Sequence, residues 1–253
     1  MTESTLPEPT TPGSSARDTA APADPMPTYG DGPGTAVESG APDRLGYALW
    51  AVFGRRGSHG VHAALADVAL PDGVTLRGTY DVSGLRADAD LLVWLTGADA
   101  ADLQAALRVL RRLEPFASMA PVWNALGVHR DAEFMRNHSP AYMRGLPPKE
   151  WLTVYPFVRS YEWYVLPEEE RRGMLAQHGR KGSEYPQVQT NTVASFALGD
   201  YEWLLALEAE DPVHLVDLMR HLRATEARRH VREEVPFFTG RLLRVDEIEE
   251  VVS

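Results

Sequence analysis

Two stretches of this chain can be laid over one another without a gap. Asp88 to Asp99, DADLLVWLTGAD, leads into a helical pattern with Leu103, Ala106, Leu107, Leu110 and Leu113 on one face. Asp200 to Asp211, DYEWLLALEAED, leads into a second, with Leu215, Leu218, Met219 and Leu222 on one face. Asp99 falls on Asp211, Leu103 on Leu215, Arg108 on Arg220, Leu110 on Leu222 and Arg111 on Arg223, always at an offset of 112 residues. A strand, an aspartate at the helix start and a helix repeated in one register indicate an internal duplication.

The second copy is the easier to follow. Lys149 to Gly182 reads as strand, turn, strand, helix, with the unit's first strand placed at Tyr161–Val165. Pro167 opens a helix at its first position, followed by three glutamates that suit a helix N-terminus, and the helix runs towards His178 and Gly179. Strands are expected at Val188–Leu198 and Tyr201–Glu208, then the second helix, then a strand around Phe237–Val245. That order, β-α-β-β-α-β, is the ferredoxin-like pattern. In the first half, strands are expected at Tyr47–Phe53, Val74–Val82 and Leu91–Leu95, with a short helix between Arg55 and Ala69 and a longer one from Asp99 that ends at Pro115.

The fold class expected is therefore α+β: two tandem ferredoxin-like units of the dimeric α+β barrel type, with antiparallel sheets and outer helices. Residues 1–43 carry hardly an aliphatic side chain larger than alanine and are expected to form a disordered tail. Residues 44–148 form the first unit, with 114–148 as a helical insertion covering one mouth of the second, and 149–253 form the second unit.

Composition removes several classes of function. The formal charge is -11, against a surface built for nucleic-acid backbones. There is no cysteine, hence no disulfide, thiolate nucleophile or thiolate-held metal. No apolar run is long enough to span a bilayer, and the acidic, polar N-terminus is not a signal peptide. The expected location is the cytoplasm.

Among the eight histidines, His59 and His62 read as a solvated turn, and His214, His221 and His230 as exposed. His178 ends a helix whose other face is apolar. It is either a C-terminal histidine favoured by the helix dipole or a metal ligand facing the space between helix and sheet. Tyr155 and Trp163 read as core aromatics or as redox-active ones. Arg159, between aromatic-rich strands, is suited to a carboxylate. His138 lies where a residue could overhang a pocket.

The segments YPFVRSYEWYVLP, MLAQHGRKG, ALGDYEWLLALEAEDP and MRHLRATEARRHVREEVPFFTG, taken in this order and spacing, resemble the chlorite dismutase superfamily, and within it the coproheme decarboxylases. The resemblance covers most of the second half and only loosely the first. It implies that His178 is the proximal iron ligand, Tyr155 the residue that becomes a tyrosyl radical, and His138 the distal base for hydrogen peroxide. It implies that Arg159 anchors a propionate, that Trp163 lies near the reacting side of the porphyrin, and that Arg223 and Arg228 line the propionate side.

The same resemblance implies the chemistry. Iron coproporphyrin III would be both substrate and redox cofactor, and would lose carbon dioxide from two propionates to give haem b through a monovinyl intermediate. It further implies a homopentamer supplied by a ferrochelatase, with no nucleic-acid or membrane partner. Chlorite-converting members carry a distal arginine on the strand that here reads Gln189-Thr-Asn-Thr-Val193, so chlorite decomposition is not expected. The alternatives are a haem peroxidase or haem carrier of the same superfamily, and a haem-free protein in which His178 is structural.

Overall fold

The computed structural model describes residues 46–56, 68–130 and 139–253. The N-terminal tail, the His59–His62 turn, most of the short helix expected between Arg55 and Ala69, and His138 lie outside the described residues.

The first unit contributes β1 (Tyr47–Gly54), β2 (Thr75–Asp81), β3 (Leu91–Gly97), α1 (Ala100–Leu110) and β4 (Ala120–Val128). The second contributes β5 (Trp151–Arg159), α2 (Glu168–Gly182), β6 (Gln189–Ala194), β7 (Trp203–Ala209), α3 (Pro212–Leu222), β8 (Val231–Glu233) and β9 (Phe238–Leu242), and α4 (Ile248–Val252) ends the chain. β3 and α1 map onto β7 and α3 at the offset of 112 read from the sequence. Asp99 and Asp211 cap their helices with the same extended backbone. Asp99 accepts from the N–H groups of Ala101 and Asp102, and Asp211 from that of Val213.

Three expectations are corrected. Residues 120–128 are not part of a helical insertion but a strand paired along its length with β1. The small residues Ala120, Pro121, Asn124 and Gly127 dilute its pattern, yet Ala125 and Leu126 alternate between two cores. The first strand of the second unit is Trp151–Arg159. Tyr161–Val165 is instead a turn and a 3-10 segment, in which only Trp163 is buried while Tyr161, Tyr164 and Val165 are exposed. Finally, α2 continues past Gly179, so His178 sits a turn inside its end.

The strands form one antiparallel sheet that closes on itself. From β5 the pairing runs through β9, β2, β3, β1, β4, β6 and β7 and returns to β5. Each unit keeps the ferredoxin-like order, β4-β1-β3-β2 and β9-β5-β7-β6. The two four-stranded sheets meet at thin seams: Val128 opposite Ala194 on one side, and Tyr80 and Asp81 opposite Leu242 and Arg241 on the other. Each seam has a glycine on the unit's last strand. A Cβ on Gly127 would meet Val193 Cγ2 at 2.4 Å, and one on Gly240 would meet the Asp81 carbonyl oxygen at 2.6 Å. Pro156, which lacks a ladder donor, is tolerated because it lies where β5 has left β9 and has not yet met β8.

Alternate residues of all strands but β8 fill the barrel: Trp50, Val52, Tyr80, Leu92, Trp94, Ala125, Leu152, Val154, Val193, Leu204, Ala206 and Phe238. Trp50 and Trp94 pack with ring centroids 5.1 Å apart. One charged pair crosses between the units inside this apolar space. Arg77 Nη2 of β2 lies 2.7 Å from Glu208 Oε1 of β7, with side-chain exposures of 7% and 0%. Asn191 Nδ2 and the Lys149 N–H also donate to Glu208. Outside the barrel, α1 packs Leu103, Ala106 and Leu110 against β1 and β3, and α3 packs Leu215 and Leu218 against β5 and β7. No helix among the described residues is long and apolar enough to cross a membrane.

Two outcomes follow for stability. Gly240→Ala forces a methyl against backbone at a seam and should cost about 1–3 kcal/mol in denaturant titration. Arg77→Ala leaves Glu208 buried with a charge unpaired, a loss of about 3–5 kcal/mol at neutral pH. Burial already holds the Glu208 pKa above its ordinary value, against the opposing pull of Arg77. A carboxyl whose folded pKa is raised favours folding below the ordinary carboxylate range and loses that advantage as pH rises. The Arg77→Ala deficit should therefore shrink as pH falls towards 5, and a deficit independent of pH would contradict this account.

Candidate functional site

The outer face of the second unit's sheet differs from that of the first. Tyr155, the middle residue of β5, points out of the barrel and is 4% exposed. Its register neighbours are Leu205 on β7 and, beyond it, Thr192 on β6. Phe237 stacks on it from the other side, with ring centroids 4.4 Å apart and planes inclined by 17°. Its hydroxyl donates to Met219 Sδ of α3 at 3.5 Å. Burial, and after it the Glu234 carboxylate, push the phenol pKa above its ordinary value. Tyr155 is thus a neutral phenol held among apolar groups.

α3 packs on this face, and α2 packs beside α3 and the segment that follows it. α3 buries Leu215 and Leu218. α2, at 15 residues the longest helix among those described, buries no side chain fully, and its Met174, Leu175 and His178 are only half-buried. On the face itself, Phe157, Thr192, Leu205 and Phe237 remain only half-buried. An apolar surface is therefore left part-covered around Tyr155.

His178, near the end of α2, is half-buried. Burial, and then the charge of Arg159, hold its pKa below the usual histidine value of 6.5, so it is a neutral imidazole at neutral pH. Its Nδ1 lies 3.5 Å from Thr225 Oγ1. A neutral, partly buried imidazole with one nitrogen occupied is the donor that iron takes from a protein.

The cations surround these two residues. The Arg159 guanidinium lies over the rings of Trp163 and Phe157, at 4.1 and 4.9 Å from their centroids. The backbone N–H of Arg159 donates to Glu202 Oε2 at 2.8 Å. Trp163 is buried beneath it, 5.5 Å from the His230 ring. Arg223 and Arg228 converge on one carboxylate. Glu234 Oε2 accepts from both, at 2.6 Å from Arg228 Nη1. Both arginines act electrostatically on Tyr155.

The structure thus gathers Tyr155, Arg159, Trp163, His178, Arg223 and Arg228 around the second unit's outer face, while His138 lies outside the described residues. Sequence reasoning did not single out Glu234, Thr225, Met219 or Phe237. Each acts on a neighbour, and no pattern in the sequence set them apart. The β6 face beside Tyr155 carries Thr190 and Thr192 and no arginine. Among the described residues no group of three or more His, Asp or Glu side chains could hold a metal ion by itself. Any iron here would depend on a single histidine and a macrocycle.

In the substrate-free protein His178 should titrate below 6.5, and Arg159→Gln should raise its midpoint by relieving the like charge. A midpoint unmoved by that substitution would show that Arg159 does not face the imidazole.

Known proteins resemble the chain as a whole. The chlorite dismutase family matches residues 58–243, both units rather than the second alone. The chain is 52% identical over 177 residues to the coproheme decarboxylase of Mycolicibacterium smegmatis, covering 70% of this chain and 77% of that protein. It is 26% identical over 186 residues to the coproheme decarboxylase of Staphylococcus carnosus, covering 67% and 74%. In fold it resembles a solved chlorite dismutase from Candidatus Nitrospira defluvii in complex with imidazole. The TM-score is 0.66 at 19% identity, over 82% of this chain and 95% of that one.

Proposed function

The chain belongs to the chlorite dismutase family, and we propose that it is a coproheme decarboxylase. It removes carbon dioxide from two propionates of iron coproporphyrin III, leaving vinyl groups and giving haem b. The observation that carries this reading is the pairing of a buried neutral phenol, Tyr155, with a neutral histidine, His178, across an apolar face ringed by arginines. A peroxidase or a haem carrier needs the histidine but has no use for the phenol.

The residues fit the substrate. A flat macrocycle suits the part-covered apolar surface around Tyr155. His178 would bind its iron from the α2 side. Arg159, Arg223 and Arg228 would meet carboxylates, which favours a four-propionate porphyrin over one with two. Glu234 now supplies the acceptor for Arg223 and Arg228. An incoming propionate would share or replace it.

When bound, the porphyrin iron supplies the redox chemistry with hydrogen peroxide. The balance for each propionate is one peroxide and one proton consumed, with carbon dioxide and two waters released as the vinyl forms. His138 would take and return the peroxide proton as a general base. Tyr155, held protonated by burial, would give up a proton and an electron together and then take a hydrogen from the propionate β-carbon. Trp163 and Phe157 would keep Arg159 flat against the site. With no arginine beside Thr190 and Thr192, chlorite decomposition is not the activity proposed.

Assembly into a homopentamer is part of this reading. It is supported by the exposed Tyr161, Tyr164, Val165, Phe196 and Leu198, apolar surface that such an assembly would cover. The protein would act in the cytoplasm and receive its substrate from a ferrochelatase.

The test adds iron coproporphyrin III to the protein, titrates hydrogen peroxide and follows porphyrin mass. Two successive losses of carbon dioxide are expected. Tyr155→Phe should bind the substrate and leave its mass unchanged. Arg223→Ala and Arg228→Ala should weaken binding of coproheme more than of haem b, by about tenfold for a lost charged hydrogen bond of roughly 1.5 kcal/mol. Binding without mass change in the wild-type protein would sink the enzyme claim and leave a haem-binding protein.

A further inference from the structure

A short run of residues that follows α3 packs against α2, which also touches α3 itself. Three consecutive residues of that run each hold one residue of α2. The Ala224 carbonyl oxygen accepts from Lys181 Nζ at 3.2 Å. Thr225 Oγ1 lies 3.5 Å from His178 Nδ1. The Glu226 N–H donates to Gln177 Oε1 at 2.9 Å. The clasp is centred on His178, with one contact at the preceding residue and one a turn further on.

Thr225 itself has little freedom. It is 6% exposed, and its hydroxyl donates to the Leu222 carbonyl oxygen at 2.8 Å. A hydroxyl has one proton to give. With that proton committed to Leu222, Oγ1 offers only lone pairs to the imidazole. A deprotonated Nδ1 would then set lone pair against lone pair in a poorly solvated place. A protonated Nδ1 donates instead. The two neutral tautomers of His178 are therefore unequal here, and the favoured one carries its hydrogen on Nδ1 and leaves Nε2 with a free lone pair.

We infer that Thr225 is the positioning residue that fixes the tautomer and ring orientation of His178, so that Nε2 is presented as the iron-binding atom before any substrate arrives. The inference rests on the reading of His178 as the iron ligand. It goes further by naming which nitrogen binds and what holds the ring. A donated hydrogen bond at Nδ1 also makes the imidazole a stronger donor. Thr225 thus sets how firmly the iron is held on its His178 side. The contact at 3.5 Å is long for a hydrogen bond and leaves room to shorten when Nε2 is engaged. The clasp at Gln177 and Lys181 holds the backbone of α2 while the ring settles. Nothing in the helix sequence itself distinguishes the two ring nitrogens. The distinction comes from a threonine forty-seven residues away in the chain.

Two measurements test this, one of them without iron. In the substrate-free protein labelled with nitrogen-15 histidine, solid-state NMR should show a neutral histidine protonated at Nδ1 whose signals vanish in His178→Gln. A His178 protonated at Nε2 would overturn the proposal. In the ferrous coproheme complex, Thr225→Val keeps the shape and removes the acceptor. The iron–imidazole stretching band in the Raman spectrum should move to lower wavenumber and the iron reduction potential should rise, whereas Thr225→Ser should restore both. An unchanged band and potential in Thr225→Val would overturn it. Should Thr225→Val fail to fold, the wild-type NMR result decides. Should coproheme give no iron–imidazole band at all, the functional reading fails, and the NMR result still judges Thr225.

Discussion

The charged pair between Arg77 and Glu208 is the contact on which the architecture turns. It joins β2 of one unit to β7 of the other inside the barrel, where neither group has much water. The seams beside it are held by one and two residue pairs, too few to close a sheet alone. What closes the barrel is the interior: Trp123 of β4 packs on Phe238 of β9 with ring centroids 5.1 Å apart, and its indole N–H donates to Tyr201 of the second unit. Buried ion pairs are often poor sources of stability but good sources of register. This one fixes which residue of β2 faces which residue of β7. It therefore sets how the first unit meets the sheet that carries Tyr155 on its other face.

The same chemistry is used differently on that outer face. Inside the barrel a carboxylate and a guanidinium are matched once and for all. Outside it, Arg223 and Arg228 share a single carboxylate, Glu234, so two positive charges converge on one negative one. The local excess suits a ligand that brings carboxylates of its own, and it is confined to one face of a chain whose net charge is -11. On the proposed reading the product carries two carboxylates fewer than the substrate, and the same arginines that admit one will hold the other less tightly.

The duplicated strand and helix were legible because both copies keep the physical signals of local structure: a β-branched or aromatic run, an aspartate cap, leucines at helical spacing. β4 was not legible. Its alanines, proline and glycine dilute the strand pattern, and Gly127 is small because Val193 lies against it. Tyr161–Val165 looked like a strand because aromatic residues are common in strands, but alternation was missing and burial follows only Trp163. Closure of the barrel could not be read at all, since it depends on pairings between residues far apart in the chain. At the site, Tyr155, Arg159 and His178 stood out by type and context, and resemblance supplied their roles. Thr225 and Glu234 did not, because a threonine and a glutamate in a polar stretch are ordinary until their partners are known.

α2 buries no side chain fully, and apolar groups around Tyr155 stay half-buried. A helix of that length contributes little to the folded state until something packs against it. If a porphyrin does so, the substrate supplies part of the hydrophobic core, and folding and binding become linked equilibria. The chain would be at its most robust when loaded and at its most vulnerable to proteolysis when porphyrin is scarce. The amount of protein surviving in a cell would then track the supply of its own substrate with no dedicated regulatory element.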